Sequence, residues 1–225
     1  MPRLKLFALL TLLCAAPATP ASLVAQDKTQ LCNDVQHRPM RVGQWASYAW
    51  AGGRTDGATM RMAIVGTEPV EGSPYYWYEI TFTDRSKGAS GKTIVQVLIP
   101  GLDQATAMRG MIMKSGAEPA MRMPEEMVRM MGGRMGENFA TEFARKCQEM
   151  DVVGWEQVTV PAGSFRALHM RHAADQTDAW IAPDLYFALL RAKLKDGSTM
   201  ELTGRGADAK SPITETPVAM PGMPR

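Results

Sequence analysis

The segment PYYWYEITFTD, residues 74–84, carries the pattern that decides the fold. It consists largely of aromatic and β-branched residues, which favour extended backbone. One set of alternate positions contains Tyr76, Tyr78, Ile80 and Phe82, and the other contains Trp77, Glu79 and Thr81. A period of two predicts a strand whose two faces meet different surroundings. Such alternation is typical of antiparallel sheets.

Eight further segments have the composition of strands and are separated by turn residues. They occupy residues 45–50, 58–66, 92–101, 155–163, 164–172, 177–183, 185–195 and 198–206. The pair Asp196-Gly197 between the last two is a strong signal for a two-residue hairpin. Because consecutive strands usually lie side by side, the sequence predicts one antiparallel sheet of about nine strands. The predicted fold class is mainly β (α+β).

The middle of the chain, residues 103–150, is predicted to be a helical segment rich in methionine. Nine of the 18 methionines fall in the range Met108–Met135. Pro124 suits the first turn of a helix, and Gly132 and Gly133 are expected to end it. Three methionines of this helix lie at positions i, i+3 and i+4 and therefore share one face: Met127, Met130 and Met131.

A second helix is predicted for residues 137–148, where Phe139, Phe143 and Cys147 recur every four residues. This spacing directs one apolar face toward the core. The two helices would form an insertion that covers one face of a large, curved antiparallel sheet.

The N-terminus indicates export. Arg3 and Lys5 precede an apolar run at residues 6–16, and small residues follow. This order is that of a secretory signal peptide, which we place at residues 1–25. No later segment approaches the ~18 uninterrupted apolar residues of a membrane-spanning helix. We therefore expect a periplasmic or secreted protein with no transmembrane segment in the mature chain.

The mature chain is predicted to be a single domain over residues 26–206. Residues 207–225 are rich in proline and weakly apolar, a composition that predicts a disordered tail.

Two cysteines remain once the signal peptide is removed, Cys32 and Cys147. An even pair in an oxidising compartment is most simply a disulfide. Two buried free thiols are the alternative. A bridge would tie the N-terminal part of the mature chain to the end of the helical segment.

The charge balance argues against a nucleic-acid partner. The chain has 25 basic and 23 acidic residues, and loss of the signal peptide leaves 23 of each. A neutral protein has no excess positive field for phosphate backbones.

His169 and His172 are three residues apart in a predicted strand, so they point to opposite faces and do not form a metal pair. We expect no catalytic residues, no metal site, no cofactor and no enzymatic activity.

Three segments near the C-terminus carry a resemblance to a known superfamily. They are VPAGSFRALHM (160–170), AWIAPDL (179–185) and LLRAKLKDGSTMELTGRG (189–206). Together they resemble the end of periplasmic lipoprotein carriers of the LolA/LolB-like superfamily and related exported families. The resemblance implies a half-open barrel with helices over its concave face. It also implies a cavity for an apolar ligand and no catalysis.

The candidate ligand-binding residues are aromatic and methionine side chains. The alternation in the strands leaves open which face lines a cavity, and we choose the faces with the fewest charges. The aromatics chosen in this way are Tyr48, Trp50, Tyr76 and Tyr78, and the helical methionines Met127, Met130 and Met131 complete the set as a lid. The methionines have three readings: ordinary core packing, an adaptable lid over an apolar ligand, or soft ligands for Cu(I).

The function predicted from these features is non-covalent binding of a lipid, an acyl chain or another apolar ligand by an exported protein. One alternative is a methionine-rich protein that handles Cu(I). The other is an envelope sensor or interaction module whose partner is a protein.

Overall fold

The structure is a computed structural model that describes residues 20–136 and 142–220. Three predicted features fall wholly or partly outside these residues. They are most of the signal peptide, the start of the second predicted helix with Phe139, and the last five residues of the predicted tail.

The described chain contains three α-helices and twelve strands. The helices are α1 (Pro20–Gln36), α2 (Glu125–Gly136) and α3 (Glu142–Glu149). The first six strands are β1 (Trp45–Ala51), β2 (Thr59–Val70), β3 (Ser73–Thr83), β4 (Lys92–Ile99), β5 (Gly110–Ser115) and β6 (Met121–Arg122). The other six are β7 (Asp151–Val160), β8 (Gly163–His172), β9 (Thr177–Ile181), β10 (Leu189–Lys193), β11 (Thr199–Gly206) and β12 (Val218–Ala219). Short 3₁₀ helices lie at Gly53–Thr55, Arg85–Gly91 and Leu102–Ala107.

All twelve strands form one open sheet in the order β12-β6-β5-β4-β3-β2-β1-β11-β10-β9-β8-β7. Neighbouring strands are antiparallel, except that β12 pairs with β6 in parallel. Each of the nine predicted strands has a counterpart, so the mainly β class is confirmed. The predicted number was wrong, because β5, β6 and β12 had been assigned to the helical segment and to the tail.

The strand β5 explains part of this error. Met111 and Met113 occupy alternate positions, and they pair with Val97 and Val95 of β4. Methionine has no strong strand preference, so its abundance concealed the period of two. Residues 103–150 are therefore not one helical segment.

The two faces of the sheet have different covers, and we name them by the side chains of β1–β5. The inner face carries Tyr48, Tyr78 and Met111, and the outer face carries Trp45 and Glu79. On the inner face, Val128 of α2 belongs to one buried cluster with Ile64 of β2 and Ile99 of β4. At the other end of the sheet, α1 and α3 pack against β8 and β9. A single helical insertion covering the sheet is therefore not confirmed.

The helix α2 extends further than the sequence predicts. Its backbone stays helical through Gly132 and Gly133 and ends at Gly136. Glycine lowers helix propensity by ~1 kcal/mol but does not forbid helical backbone. Packing of α2 against residues 102–107 and β5 supplies the tertiary contacts that override this preference.

The helix α1 was not predicted from the sequence. This helix contains Cys32, so it shows which elements the cysteine pair connects. Cys32 of α1 and Cys147 of α3 form a disulfide with a Cα–Cα distance of 5.9 Å, which confirms the predicted bridge. Both sulfurs lie in a buried cluster with Leu31, Leu168 and other apolar side chains. The bridge therefore fixes α1 to α3 over the β7–β9 end of the sheet.

Residues 207–220, for which the sequence predicts a disordered tail, lie across the outer face of β1–β5. We call this segment the C-terminal strap. Its Ala209 N–H donates to the Gly43 carbonyl (2.8 Å), and the Trp45 indole N–H donates to Asp208 (2.8 Å). Farther along, Glu215 pairs with Lys114, and β12 adds to β6.

An acid titration is expected to loosen the C-terminal strap at its far end. The hydrogen bond from Lys114 lowers the pKa of Glu215 from 4.5 to about 2. A lowered pKa stabilises the folded state above pH 4.5, and this contribution is lost as the pH falls toward 2. Carbon-13 NMR of the Glu215 carboxyl group should give a midpoint near 2 in the native protein. In a Lys114→Gln variant the midpoint should rise toward 4.5. An unchanged midpoint in that variant would contradict the pairing.

Candidate functional site

An apolar cavity of ≈ 280 Å³ lies between the inner face of the sheet and the segments that cover it. Its floor is formed by β1, β2 and β3, and its walls come from the end of α1, Leu102 and the segment before β10. The lining residues are Val35, Gln36, Tyr48, Met60, Met62, Tyr78, Leu102, Tyr186, Phe187, Ala188 and Leu189. This volume lies just below the ~300–1,000 Å³ typical of ligand sites.

Two tyrosines form the centre of the floor. Tyr48 is 0% exposed and Tyr78 is 3% exposed. The Tyr48 hydroxyl donates to the Leu189 carbonyl at 3.1 Å, so β1 is tied to the wall opposite. Burial raises the pKa of both phenols above the ordinary value of 10. The floor is therefore uncharged at neutral pH.

Two methionines from β2 complete the floor. Met60 and Met62 lie at alternate positions of β2 and face the same side as Tyr48 and Tyr78. Both are partly buried and contact the core. Flexible thioether side chains can change rotamer to fit different apolar shapes.

The wall at residues 183–188 is held by the segment that follows α1. The Arg38 guanidinium donates to the carbonyls of Pro183, Leu185 and Tyr186. The Tyr186 hydroxyl donates to the Pro39 carbonyl (3.0 Å) and accepts from the Arg41 N–H (3.2 Å). These bonds join two otherwise irregular segments over the cavity.

Comparison with known proteins does not identify a family. No family model and no curated protein matches the sequence. A structure described as that of an exported protein with a YmcC-like fold, from Bacteroides fragilis, has a TM-score of 0.35 at 11% identity. The match covers 76% of this chain and 98% of that one.

Two other solved structures give matches of the same quality. A structure described as a lipoprotein from Parabacteroides distasonis has a TM-score of 0.34 at 12% identity, over 75% of this chain and 97% of that one. MucB has a TM-score of 0.43 at 12% identity, over 86% of this chain and 62% of that one. These scores assign neither a family nor a function to this chain, and the resemblance to lipoprotein carriers stays a prediction.

The structure brings together only part of the predicted ligand-binding set. Tyr48 and Tyr78 line the cavity. Trp50 lies on the same face but packs against Phe82, with ring centroids 6.0 Å apart. Tyr76 packs in the buried cluster beside α2 and does not line the cavity.

The three methionines of α2 lie away from the cavity and do not share one buried face. Met131 packs against the core and Met127 is partly buried, whereas Met130 is 67% exposed. Val128, at 0% exposure, is the residue that α2 buries most fully among those described. The buried face of α2 therefore runs through Val128 and Met131.

Several lining residues were not found from the sequence. Val35 was missed with α1, and Tyr186 and Phe187 had been placed inside a strand. Met60 and Met62 lie at alternate positions of a predicted strand, and the chosen aromatics lie on the strands at either side of them. That face could have been selected from the sequence.

Two other kinds of feature would bear on function in the described residues, a metal site and a membrane-spanning helix. No three His, Cys, Asp or Glu side chains in this part of the chain are arranged as metal ligands. Among the described helices, none is long and apolar enough to span a membrane.

Proposed function

We propose that this chain is an exported, non-enzymatic protein that binds one hydrocarbon chain in the cavity above Tyr48 and Tyr78. The observation that carries the proposal is the apolar lining of a space of ≈ 280 Å³. A methylene group occupies roughly the volume of a water molecule, ~30 Å³. The cavity therefore suits a single chain of about nine methylene groups.

The nature of the lining supports binding rather than catalysis. The phenols of Tyr48 and Tyr78 have a raised pKa and stay protonated at neutral pH. Methionine and aliphatic side chains make up much of the remaining surface and offer no group for proton transfer. Such a lining stabilises an apolar ligand by removing its surface from water.

An exported location is supported by two features of the chain. Its N-terminus has the order of a secretory signal peptide. The bridge between Cys32 and Cys147 is of the kind that persists in oxidising compartments.

Binding of the uncharged fluorophore N-phenyl-1-naphthylamine tests the proposal. The native protein should enhance its emission with saturation at one site. A Met62→Trp change should weaken this binding by about tenfold, because overfilling a packed space costs ~1–3 kcal/mol. Fluorescence titration measures both affinities.

Met113→Trp is the matched control for this experiment. Met113 is also a partly buried methionine of the inner face, but it packs beside α2 and does not line the cavity. Its replacement should leave fluorophore binding within about twofold of the native value. Absence of saturable binding to the native protein, or equal weakening by both variants, would refute the proposal. Circular dichroism verifies that each variant is folded.

A further inference from the structure

A polar groove of ≈ 670 Å³ adjoins the apolar cavity. The two spaces share Tyr186, which lines both of them. The Tyr186 ring packs against Phe187 on the cavity side, with centroids 5.1 Å apart. On the groove side, its hydroxyl donates to the Pro39 carbonyl and accepts a hydrogen bond from the backbone N–H of Arg41. One side chain therefore marks a change from apolar to polar surroundings.

Among the charged side chains that line the groove, arginines outnumber aspartates by three to two. They are Asp34, Arg38, Arg41, Asp184 and Arg205. The Arg38 hydrogen bonds go to backbone carbonyls, so its positive charge is not neutralised by a carboxylate there. Asp34 and Asp184 offset two of the three positive charges.

Arg41 and Arg205 are the two arginines of the groove that can contact a ligand. Both are exposed, and within the described part of the chain neither forms an ion pair. The Arg205 guanidinium lies 5.5 Å from the Phe165 ring centroid, a contact that leaves its charge unpaired. Guanidinium groups bind carboxylate and phosphate through paired hydrogen bonds.

We propose that the ligand is an anionic amphiphile with one hydrocarbon chain, whose carboxylate or phosphate head lies in the groove against Arg41 and Arg205. This inference rests on the proposed function, because the hydrocarbon chain occupies the cavity assigned there. The step at Tyr186 separates the two parts of the ligand. The fixed bonds of Tyr186 and Arg38 hold this boundary in place before the ligand arrives.

Four ten-carbon compounds that differ in the head group test the inference. Each is titrated at low salt into the native protein loaded with N-phenyl-1-naphthylamine, and its displacement of the fluorophore is measured: decanoate, decyl phosphate, 1-decanol and decyltrimethylammonium. We expect the two anions to bind about tenfold more tightly than 1-decanol and the cation to bind least tightly. A preference for only one anion identifies the head as a carboxylate or as a phosphate. Raising the salt concentration should reduce the anion preference, since these arginines are exposed.

A pair of arginine variants separates this inference from the proposed function. Arg41→Gln with Arg205→Gln should remove the anion preference and leave 1-decanol binding within about twofold of the native value. Arg54→Gln with Arg85→Gln removes the same net charge outside the groove and should retain the preference.

The possible outcomes differ for the two proposals. Equal binding of 1-decanol and the anions by the native protein refutes the anionic head and leaves the hydrocarbon site standing. Retention of the preference in the Arg41/Arg205 variant also refutes it. If no ten-carbon compound displaces the fluorophore, the hydrocarbon site and the head-group site both fail.

Discussion

Removal of the disulfide by the double change Cys32→Ala and Cys147→Ala is expected to lower the free energy of unfolding by ~4–5 kcal/mol. The bridge spans 115 residues, so it restricts the unfolded chain over more than half of its length. It also holds α1 on the sheet, and the end of α1 contributes Val35 and Gln36 to the cavity. Loss of the bridge should therefore weaken fluorophore binding as well. Urea denaturation and fluorescence titration measure the two effects.

Reduction of the native protein provides the control for this prediction. Reduced native protein retains both sulfur atoms, so a comparison with the alanine variant separates chain restriction from lost packing in the buried cluster. Both forms should lose most of the ~4–5 kcal/mol. A loss of less than about 1 kcal/mol in the reduced protein would show that the bridge contributes little to folding.

The elements that the sequence predicts well are those specified by local patterns. β3 shows its period of two within eleven residues. Asp196-Gly197 lies at the turn between β10 and β11 as predicted, but the loop has three residues (195–197) and not two, because the Leu194 N–H donates to the Ser198 carbonyl. The cysteine pair could be predicted because export left only two candidates. In each case the residues that carry the signal lie close together or are few in number.

The errors arise where tertiary contacts decide the structure. The C-terminal strap has a composition typical of disorder. Its polar groups nevertheless form hydrogen bonds or ion pairs with Gly43, Lys114 and Glu79, which are distant in sequence. The same applies to α2, whose glycines remain helical because the helix packs against residues 102–107. No short window of sequence contains these partners.

The candidate site could be predicted only in part for the same reason. Tyr48 and Tyr78 were found from strand alternation and low charge. Arg41, Arg205 and Tyr186 come from three separate segments, and their proximity depends on how residues 37–41 pack against residues 183–188. Methionine abundance directed attention to α2, whereas the methionines of the cavity are Met60 and Met62 on β2.

The outer face contains a buried carboxylate whose removal is the second large effect that we expect. Glu79 is 0% exposed. It accepts hydrogen bonds from Gln96 (2.8 Å) and from the Ser211 hydroxyl of the C-terminal strap (2.9 Å). Arg61 lies 3.5 Å from its other oxygen. The bonds from Gln96 and Ser211 and the charge of Arg61 offset part of the cost of burying the carboxylate, whose other oxygen accepts no hydrogen bond from the described residues.

Glu79→Ala is expected to reduce the free energy of unfolding by ~3 kcal/mol, because Gln96 and Ser211 lose a buried charged acceptor. Glu68→Ala is the matched control. Glu68 also pairs with an arginine, Arg122, but both side chains are substantially exposed, so the cost should stay below ~1 kcal/mol. Urea denaturation of both variants checks this contrast, and equal costs would contradict it.

A double-mutant cycle then tests whether the C-terminal strap depends on Glu79. Ser211→Ala alone should cost ~1–2 kcal/mol, since its hydroxyl donates to a carboxylate. In the Glu79→Ala background this partner is gone, and the same change should cost at least ~1 kcal/mol less. Additive costs would mean that Ser211 and Glu79 contribute independently. A positive coupling would mean that a charge on β3 orders a proline-rich segment more than 100 residues further along the chain.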